Sequence, residues 1–547
     1  MGDFQPGTVN PEPLNTEIKN VFTAALSGLL LTGAFPKIGL DWLAWVALVP
    51  LLYALKDQPV GAGFRLGFIT GLVHFLMLLY WLVPVMRTYG YLPATLSILI
   101  LVLFAAFLAL FVGSFAAALS KIGKRPVWCL VMIPLLWVAL EYLRSFIFSG
   151  FPWELIGYSQ FNRLQLIQIS DILGVYGLSA LIALVNGAVF ITLLYFTKRR
   201  WLDTDVTKRL VTGAVIALIL GIALSWSYGH WRLKTIEHLI AISPKTRIAV
   251  IQGNIDQAVK WDPAFQIDTV NKYHRLTSSI IKQRPELIVW PESATPFYLL
   301  YDIKPTELVF EGIQQTAADY LIGSPSFVQS DDGVRYFNSA YLISPLTKNI
   351  SKYDKTHLVP FGEYVPLKKW LPFLGKIVAQ VGDFRGGMEG KTLPWKTEQV
   401  GVQICYEIIF PGLSRAMAKN NASLLINITN DAWFGKTSGP YQHFSMTVFR
   451  AVENRRALVR SANTGISGFI DPAGRVLAST PLLQDAALVQ SIPFLKLKTT
   501  YTRIGDLFAQ LCLAVVLLVI LLEIVRYGTK RKKGGNQNVN RTKTESG

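Results

Sequence analysis

The sequence predicts a polytopic α-helical membrane domain of about eight transmembrane helices, joined to an α/β domain outside the membrane. Three observations carry that reading. Of the 547 residues, 51% are hydrophobic and only 16% charged, a balance that points away from a chain of ordinary soluble domains. Apolar runs of the ~20 residues that a helix needs to cross a hydrocarbon core crowd the first 230 residues and recur once near the end. Between them, at about 231–503, lies a polar stretch in which short β-branched runs alternate with amphipathic segments.

The expected spans lie at about 20–35, 38–55, 62–86, 92–119, 127–148, 171–197, 210–230 and 505–526. The first is short and ends at "GAFPKIG", the mark of half a tightly turned hairpin. Asp3, Glu12 and Glu17 precede it without a basic run, which argues against a cleaved signal peptide. Orientation follows from lysine and arginine in the short loops, which collect on the cytoplasmic side. Lys56 and Arg65, then Lys121, Lys124 and Arg125, then Lys198, Arg199, Arg200, Lys208 and Arg209 fall on one side, together with the basic tail at 528–547. The other side holds only Lys37, Arg87, Arg144 and Arg163. A tail at 1–19 and both termini are therefore expected in the cytoplasm, a membrane domain at 20–230, the polar region at 231–503 in the periplasm, and a final helix at 504–527. A bacterial inner membrane is the natural location. The net charge of +18 is explained by this orientation without a nucleic-acid partner.

Within the polar region, "RIAVIQGNI" (247–255), "ELIVWPES" (286–293), "DYLIGSPSF" (319–327), "FNSAYLISP" (337–345), "QVGVQICYE" (399–407), "ASLLINITND" (422–431) and "RALVRSANTGISGFIDPAGRVLAS" (456–479) read as strands bounded by Gly, Pro and Asn. "DPAG" at 471–474 reads as a turn, and "AFQIDTVNKYHRLTSSIIKQ" (264–283) as a helix between strands. The result is one α/β domain with room for a full core.

Of three cysteines, Cys129 and Cys512 sit in apolar runs and read as small core residues. Cys405 follows "VGVQI" at a strand end, with Tyr406 and Glu407 after it. It is either one more buried thiol or a nucleophile. Glu407 favours the second, because a carboxylate is costly to bury without a partner. Two other strand ends also finish in charged residues. Glu292 closes "LIVWPES" and either caps a helix or stands at the carboxyl end of a strand, where α/β domains gather their sites. Lys355 closes a polar run in "SKYDKTHLVPFGEYVP" (351–366), with Glu363 eight residues on, and either belongs to a solvated loop or faces the same place. A thiol, a carboxylate and an ammonium supply the nucleophile, proton acceptor and oxyanion stabiliser of acyl transfer. No HExxH, CxxC or GxSxG pattern occurs, so neither a metal nor another cofactor is called for.

At these residues the chain resembles the carbon-nitrogen hydrolase (nitrilase) superfamily, and in particular its membrane branch, the apolipoprotein N-acyltransferases. "QGNIDQAVKWD" (252–262), "WPES" (290–293), "YDKTHLVPFGEYVP" (353–366), "ICYE" (404–407) and "NDAWFG" (430–435) carry the likeness, with "GFPWELIGYSQ" (150–160) and "YTRIGD" (501–506) beside the membrane. The resemblance implies an α-β-β-α sandwich with Cys405 as nucleophile, Glu292 as general base and Lys355 as oxyanion stabiliser. Glu363 would support the lysine and the base, Tyr406 and Glu407 would shape the pocket, and Trp153 and Trp261 would bind substrate near a lipid entrance. It further implies an acyl chain taken from a phospholipid, usually phosphatidylethanolamine, and passed through a Cys405 thioester to the α-amine of a diacylglyceryl-cysteine lipoprotein. The enzyme is expected to work as a monomer. A membrane-anchored amidase, in which water resolves the intermediate, is the alternative, and a lipid receptor without chemistry is a second.

The remaining polar residues are read more plainly. Glu141 and Arg144, one helical turn apart, are expected to pair with each other, and His74 to bond between helices. His357, two positions after Lys355, would share its strand face. Asn430, Asp431 and Trp433 either line the pocket or end a strand.

Overall fold

The computed structural model describes residues 12–331, 333–365 and 383–544. The expected N-terminal tail up to residue 11, Pro366 and the last three residues lie outside that range.

Hydropathy and helix length agree for six segments, which are long and apolar enough to cross a membrane. They are α2 (Val60–Leu78), α3 (Ala94–Ile122), α4 (Pro126–Arg144), α5 (Val175–Phe196), α6 (Lys208–Ile242) and the final helix, apolar over Leu507–Arg526. The two earliest expected spans differ. The stretch 20–35 falls within α1 (Glu12–Gly33), whose first half, "EPLNTEIKN", is polar. The stretch 38–55 is no continuous helix; it breaks into a turn at Asp41–Trp45 and a short helix at Val49–Ala54. Asp41 is the cause, because its carboxylate is drawn to Arg163, with bonds of 2.7 and 2.9 Å, and cannot enter an apolar helix. Among the described residues six of the eight expected spans meet this measure, with α1 and the broken segment packed against them.

Helices α2 and α3 approach closely because small residues face each other, as membrane interfaces favour. A Cβ placed on Gly67 would lie 2.5 Å from the Cβ of Ala116 and from the carbonyl of Val112. Helix α6 overruns its expected end and runs on to Ile242, so it enters the polar domain directly and hands the chain to the first strand.

That domain holds two six-stranded sheets. Strands β1 (Lys245–Gln252), β2 (Leu287–Val289), β3 (Asp319–Ser330), β4 (Gly333–Ser344) and β5 (Asn349–Asp354) build one, with β12 (Ala486–Pro493) paired antiparallel to β1. Strands β6 (Thr392–Trp395), β7 (Glu398–Ile404), β8 (Leu424–Thr429), β9 (Ala457–Ala462), β10 (Gly468–Ile470) and β11 (Val476–Ser479) build the other. The centres are parallel, β1 with β2 and β3, and β7 with β8 and β9. Period-two alternation sets the layers. Ile248, Val250, Leu287 and Val289 point into one apolar core with Val402, Ile404, Ile426 and Val459 of the opposite sheet. Ala249, Ile251, Ile288 and Trp290 point outward to Val270 and Tyr273 of α7 (Gln266–Ile280) and Val309 and Ile313 of α8 (Ile303–Gln314). Helices α9 (Pro411–Lys419) and α10 (Gly439–Asn454) cover the second sheet, and α11 (Leu507–Thr544) closes the chain. The arrangement is the expected α-β-β-α sandwich.

Strand ends within the sandwich meet across its middle. The hydroxyl of Ser461 on β9 donates to the carbonyls of Ile251 and Val289, both at 3.1 Å. The carboxyl ends of β1, β2, β7 and β8 therefore open at one place, and the functional side chains stand there.

Helix α10 reads as a polar amphipath yet is buried almost throughout, because its outer face docks on the membrane helices. Gln442 accepts from the indoles of Trp81 at 3.1 Å and Trp153 at 2.8 Å, and donates to the carbonyls of Pro36 and Leu78. Arg450 donates to Tyr158, and Arg455 to Asp171 and Gln168. Arg450 also meets Glu453 at 3.1 Å, so both of these buried guanidinium groups have a carboxylate, the condition under which burying them is tolerable.

Candidate active site

Cys405 follows the last residue of β7 and has φ +54, the left-handed region that a β-carbon disfavours. This bend ends the strand sharply, starts a turn at Cys405–Ile409 and lifts the thiol out of the sheet. Glu407 holds the bend. One carboxylate oxygen accepts from the Ile404 amide at 2.7 Å; the other accepts from the Thr356 amide and hydroxyl, both at 2.7 Å, and from the His357 amide at 3.1 Å. Tyr353 donates to both. Glu407 therefore faces away from the pocket and ties the cysteine bend to the segment that carries Lys355. Burial raises its pKa and these donors oppose the rise.

Glu292 and Lys355 reach the same space from β2 and β5. The Lys355 ammonium lies 2.9 Å from Glu363 and 3.8 Å from Glu292. Asn338 bridges the two carboxylates, donating to Glu292 at 2.8 Å and Glu363 at 2.9 Å. The other oxygen of Glu292 accepts from the amide of Asn430 at 2.8 Å. Lys355 is 1% exposed. Burial works against its charge, but Glu363, Glu292 and Cys405 prevail and hold its pKa above the ordinary lysine range.

The thiol behaves in the opposite way. Burial, then the charge of Glu292, push its pKa up to about 12 against the pull of Lys355. It therefore rests as a neutral thiol and needs a base at the moment of reaction. Alkylation of Cys405 by N-ethylmaleimide is expected to rise ~tenfold per pH unit from pH 7 to 10 without a plateau, whereas a free thiol levels off near pKa ~8.5. A plateau near pH 8.5, read by peptide mass spectrometry, would show an ordinary thiol.

The other expected site residues divide. Tyr406 donates to the carbonyl of Gly150 at 3.3 Å and packs on Phe410, so it joins the bend to the membrane half. Trp153 is buried between the halves, stacked on His443 with centroids 5.7 Å apart. Trp261 is half-buried, and its indole N–H is buried without a partner. His357 lies against Phe410. Its pKa falls to about 4 through burial and then the charge of Lys355, which disfavours a Cys-His pair. Trp433 leaves the pocket and meets Tyr89. Asp431 lies beneath the bend with Arg460 at 2.8 Å. His443 connects the two levels, with Nδ1 3.0 Å from Asp431 and Nε2 3.2 Å from the Cys405 carbonyl.

In the membrane half, Glu141 and Arg144 do not bond to each other as expected. Glu141 accepts from Trp137 and the Ile156 amide, and Arg144 donates to the Trp153 carbonyl at 3.1 Å, because the loop after α4 folds back over both. His74 does join two helices, with Nδ1 3.0 Å from Thr32 Oγ1.

Sequence reasoning passed over Asn338, Gln257 and Lys260. Asn338 sits mid-strand in β4, where a buried carboxamide has to find side-chain partners and is itself the signal. Gln257 and Lys260 lie in the loop after β1; Gln257 accepts from Asn430 at 2.7 Å, and Lys260 donates to the Glu292 carbonyl at 3.1 Å. Among the described residues no cluster of His, Cys, Asp and Glu suits a metal ion.

Comparison with known proteins gives the family. Residues 27–188 match the family model for the apolipoprotein N-acyltransferase N-terminal domain, and residues 247–499 that for carbon-nitrogen hydrolase. The chain is 43% identical over 509 residues to the apolipoprotein N-acyltransferase of Geobacter metallireducens, covering 93% of this chain and 96% of that one. The chain belongs to the apolipoprotein N-acyltransferase family. A second member, from Chlorobaculum tepidum, is 31% identical over 540 residues, covering 93% of this chain and 97% of its own. Saccharomyces cerevisiae Nit3, of the nitrilase superfamily, overlays with a TM-score of 0.36 and 17% identity, covering 46% of this chain and 90% of its own. The protein is accordingly an acyltransferase with a nitrilase-type domain, carried on a membrane half of several apolar helices.

Proposed function

We propose that the enzyme moves a fatty acyl chain from a phospholipid, phosphatidylethanolamine being the expected donor, to the α-amine of a diacylglyceryl-cysteine lipoprotein through a thioester on Cys405. The observation that carries this reading is that Cys405, Glu292 and Lys355 are buried together at strand ends, with Lys355 3.8 Å from Glu292 and the cysteine bend tied by Glu407 to the segment of Lys355 and by Tyr406 to Gly150 of the membrane half.

In the first half-reaction Glu292 takes the thiol proton as sulfur attacks the ester carbonyl. Lys355 balances the charge that develops on the carbonyl oxygen, and a donor of this kind is worth ~10²–10³ in rate. The C–O bond breaks, and Glu292 returns the proton to the departing glycerol oxygen. In the second, the acceptor amine attacks the thioester and sulfur leaves. Glu363 and Asn338 keep the lysine charged and the base aimed. Water would compete as nucleophile, and the burial of Cys405, Glu292 and Lys355 favours transfer over the hydrolysis of an amidase.

Charge along the chain supports a periplasmic site. Lys121, Lys124 and Arg125 at the turn from α3 into α4, and Lys198 to Arg209 at the turn from α5 into α6, are joined through Trp201 and the Gly123 carbonyl, at the end of α6 opposite the one that leads into β1. There Lys124 also pairs with Glu523 of α11 at 3.3 Å. Basic loops stay in the cytoplasm, so both termini belong there, with a membrane domain over 20–230 and the catalytic domain over 231–503 on the far side.

The test is direct. Purified enzyme incubated with phosphatidylethanolamine should gain one acyl mass on the peptide containing Cys405, and a synthetic diacylated lipopeptide should remove it and become N-acylated. Release of free fatty acid without an acceptor, at a rate equal to transfer, would favour the amidase.

A further inference from the structure

A carboxylate that takes a proton has to be held in place, and a glutamate side chain has several torsions on which to turn away. In Glu292 both oxygens are engaged. Oε1 accepts from Nδ2 of Asn338 at 2.8 Å, and Oε2 from the backbone amide of Asn430 at 2.8 Å. Asn338 is fixed within β4, paired with Pro325 of β3 in the same sheet as Glu292's own strand. Asn430 belongs to the opposite sheet and lies one position beyond its last ladder pair, Thr429 with Ala462. Side chains must therefore hold the Asn430 amide against the base.

Asn463 supplies that hold. It follows β9, is 0% exposed, and its carboxamide uses every donor and acceptor position it has. Nδ2 donates to Oδ1 of Asn430 at 3.0 Å and to the Ile255 carbonyl at 2.9 Å. Oδ1 accepts from the Ile255 amide at 2.9 Å and from the Tyr273 hydroxyl at 3.5 Å. The Ile255 amide can only donate and its carbonyl only accept, so together they fix which way the Asn463 carboxamide points. The main chain of Asn463 adds to the tie, accepting from the Asn254 amide at 2.8 Å and donating to the Thr429 carbonyl at 3.0 Å. Asn430, held at its Oδ1, sends Nδ2 to Oε1 of Gln257 at 2.7 Å, which closes the network through the loop after β1. Asn463 thus joins the ends of β1, β8 and β9 across the two sheets. Its carboxamide reaches the base through a single residue, Asn430. A buried network of this kind is rigid while complete and costly once broken.

We propose that Asn463 is a positioning residue for acyl transfer: by holding the Asn430 carboxamide it keeps the Asn430 amide on Oε2 of Glu292, and so keeps the base from turning. Asn338 alone leaves the carboxylate free to pivot about Oε1, on which Lys355 also pulls from 3.8 Å. With one oxygen held from each sheet, the plane of the carboxylate is set. Asn463 acts only through Asn430, so its loss is felt in the rate of the proton transfer and not in the grip on the lipid.

The proposal rests on the reading of Glu292 as base and Cys405 as acyl carrier, and the experiment separates the two. Full-length enzyme in detergent is mixed with phosphatidylethanolamine over a range of concentrations. The rate at which Cys405 gains acyl mass gives a maximal rate and a half-saturating concentration, and the unfolding midpoint is read on the same samples. Asn463→Ala should lower the maximal rate by ~10–10²-fold, the scale of a misplaced catalytic group, and leave the half-saturating concentration within about twofold of the parent. That variant also loses the tie to Ile255, so Asn430→Ala is measured beside it. It removes the link to Asn463 but spares both Asn463 bonds to Ile255, and it should reproduce the loss of maximal rate with a smaller fall in melting. If Asn463→Ala does not fold, Asn430→Ala decides alone. The double variant should be no slower than the slower single one, since both act through one amide. Parent charging in Asn430→Ala, multiplied losses in the double variant, or a half-saturating concentration that rises in step with the fall in rate would make Asn463 a tie of the fold only and overturn the proposal. Wild-type enzyme that never acquires acyl on Cys405, or Glu292→Gln charging at the parent rate, would instead defeat the reading on which the proposal rests, and the proposal with it.

Discussion

Cys405→Ala is expected to lower N-acylation of a diacylated lipopeptide by on the order of 10⁴-fold or more, the scale on which loss of a covalent nucleophile is felt. Alanine keeps the β-carbon, so the left-handed backbone at φ +54 costs both residues alike and the loss cannot be assigned to strain. The thermal unfolding midpoint in detergent should stay within a few degrees of the parent, because the bend is held by the Glu407 carboxylate and not by the sulfur. Residual transfer above ~1% of the parent rate would mean that another group carries the acyl chain.

Glu407→Ala is expected to have the second-largest effect, and by a different route. Removing this carboxylate orphans the buried amide of Ile404, the half-buried amides of Thr356 and His357, and the hydroxyls of Tyr353 and Thr356. Each orphaned group costs about 1–3 kcal/mol. The unfolding midpoint should therefore fall clearly, and the segment 353–357 should loosen. Because Lys355 rides on that segment, transfer should drop by ~10²-fold or more even where the variant remains folded, as a displacement near 1 Å already costs that much. Glu407→Gln should lie between, since its amide oxygen can replace one acceptor while its NH₂ opposes donors. Activity and melting both at the parent level in Glu407→Ala would refute the role assigned to it.

Much of this was legible in the sequence for simple reasons. Strands flanked on both faces read as unbroken β-branched runs, so β1, β2, β7 and β8 appeared at their places, and the "DPAG" turn fell between β10 and β11. Cys405, Glu292 and Lys355 betrayed themselves as charged or reactive groups at strand ends. Other features are properties of pairing, which a linear pattern does not carry. Strand β5, "NISKYD", is too polar to announce itself and forms because β4 offers it an edge. The segment 38–55 has the hydropathy of a span, but Asp41 finds Arg163 more than a hundred residues away. Helix α10 was not read at all, because the groups that accommodate its polar side chains, among them Tyr158, Trp81 and Trp153, come from the other half of the chain. Lys260 looks like any loop lysine until Glu292 is placed above it.

The docking of α10 bears on how the molecule is made. Arg455 finds its carboxylate on Asp171, Gln442 its indoles on Trp81 and Trp153, and Tyr406 its carbonyl on Gly150, all encoded upstream. During synthesis those complementary surfaces are inserted before the sandwich emerges, and it condenses onto a template already waiting. Cut free and expressed alone, the same sandwich would present naked guanidinium and amide groups to water or to other copies of itself. Severing the halves for convenience should therefore yield aggregate rather than a soluble catalyst.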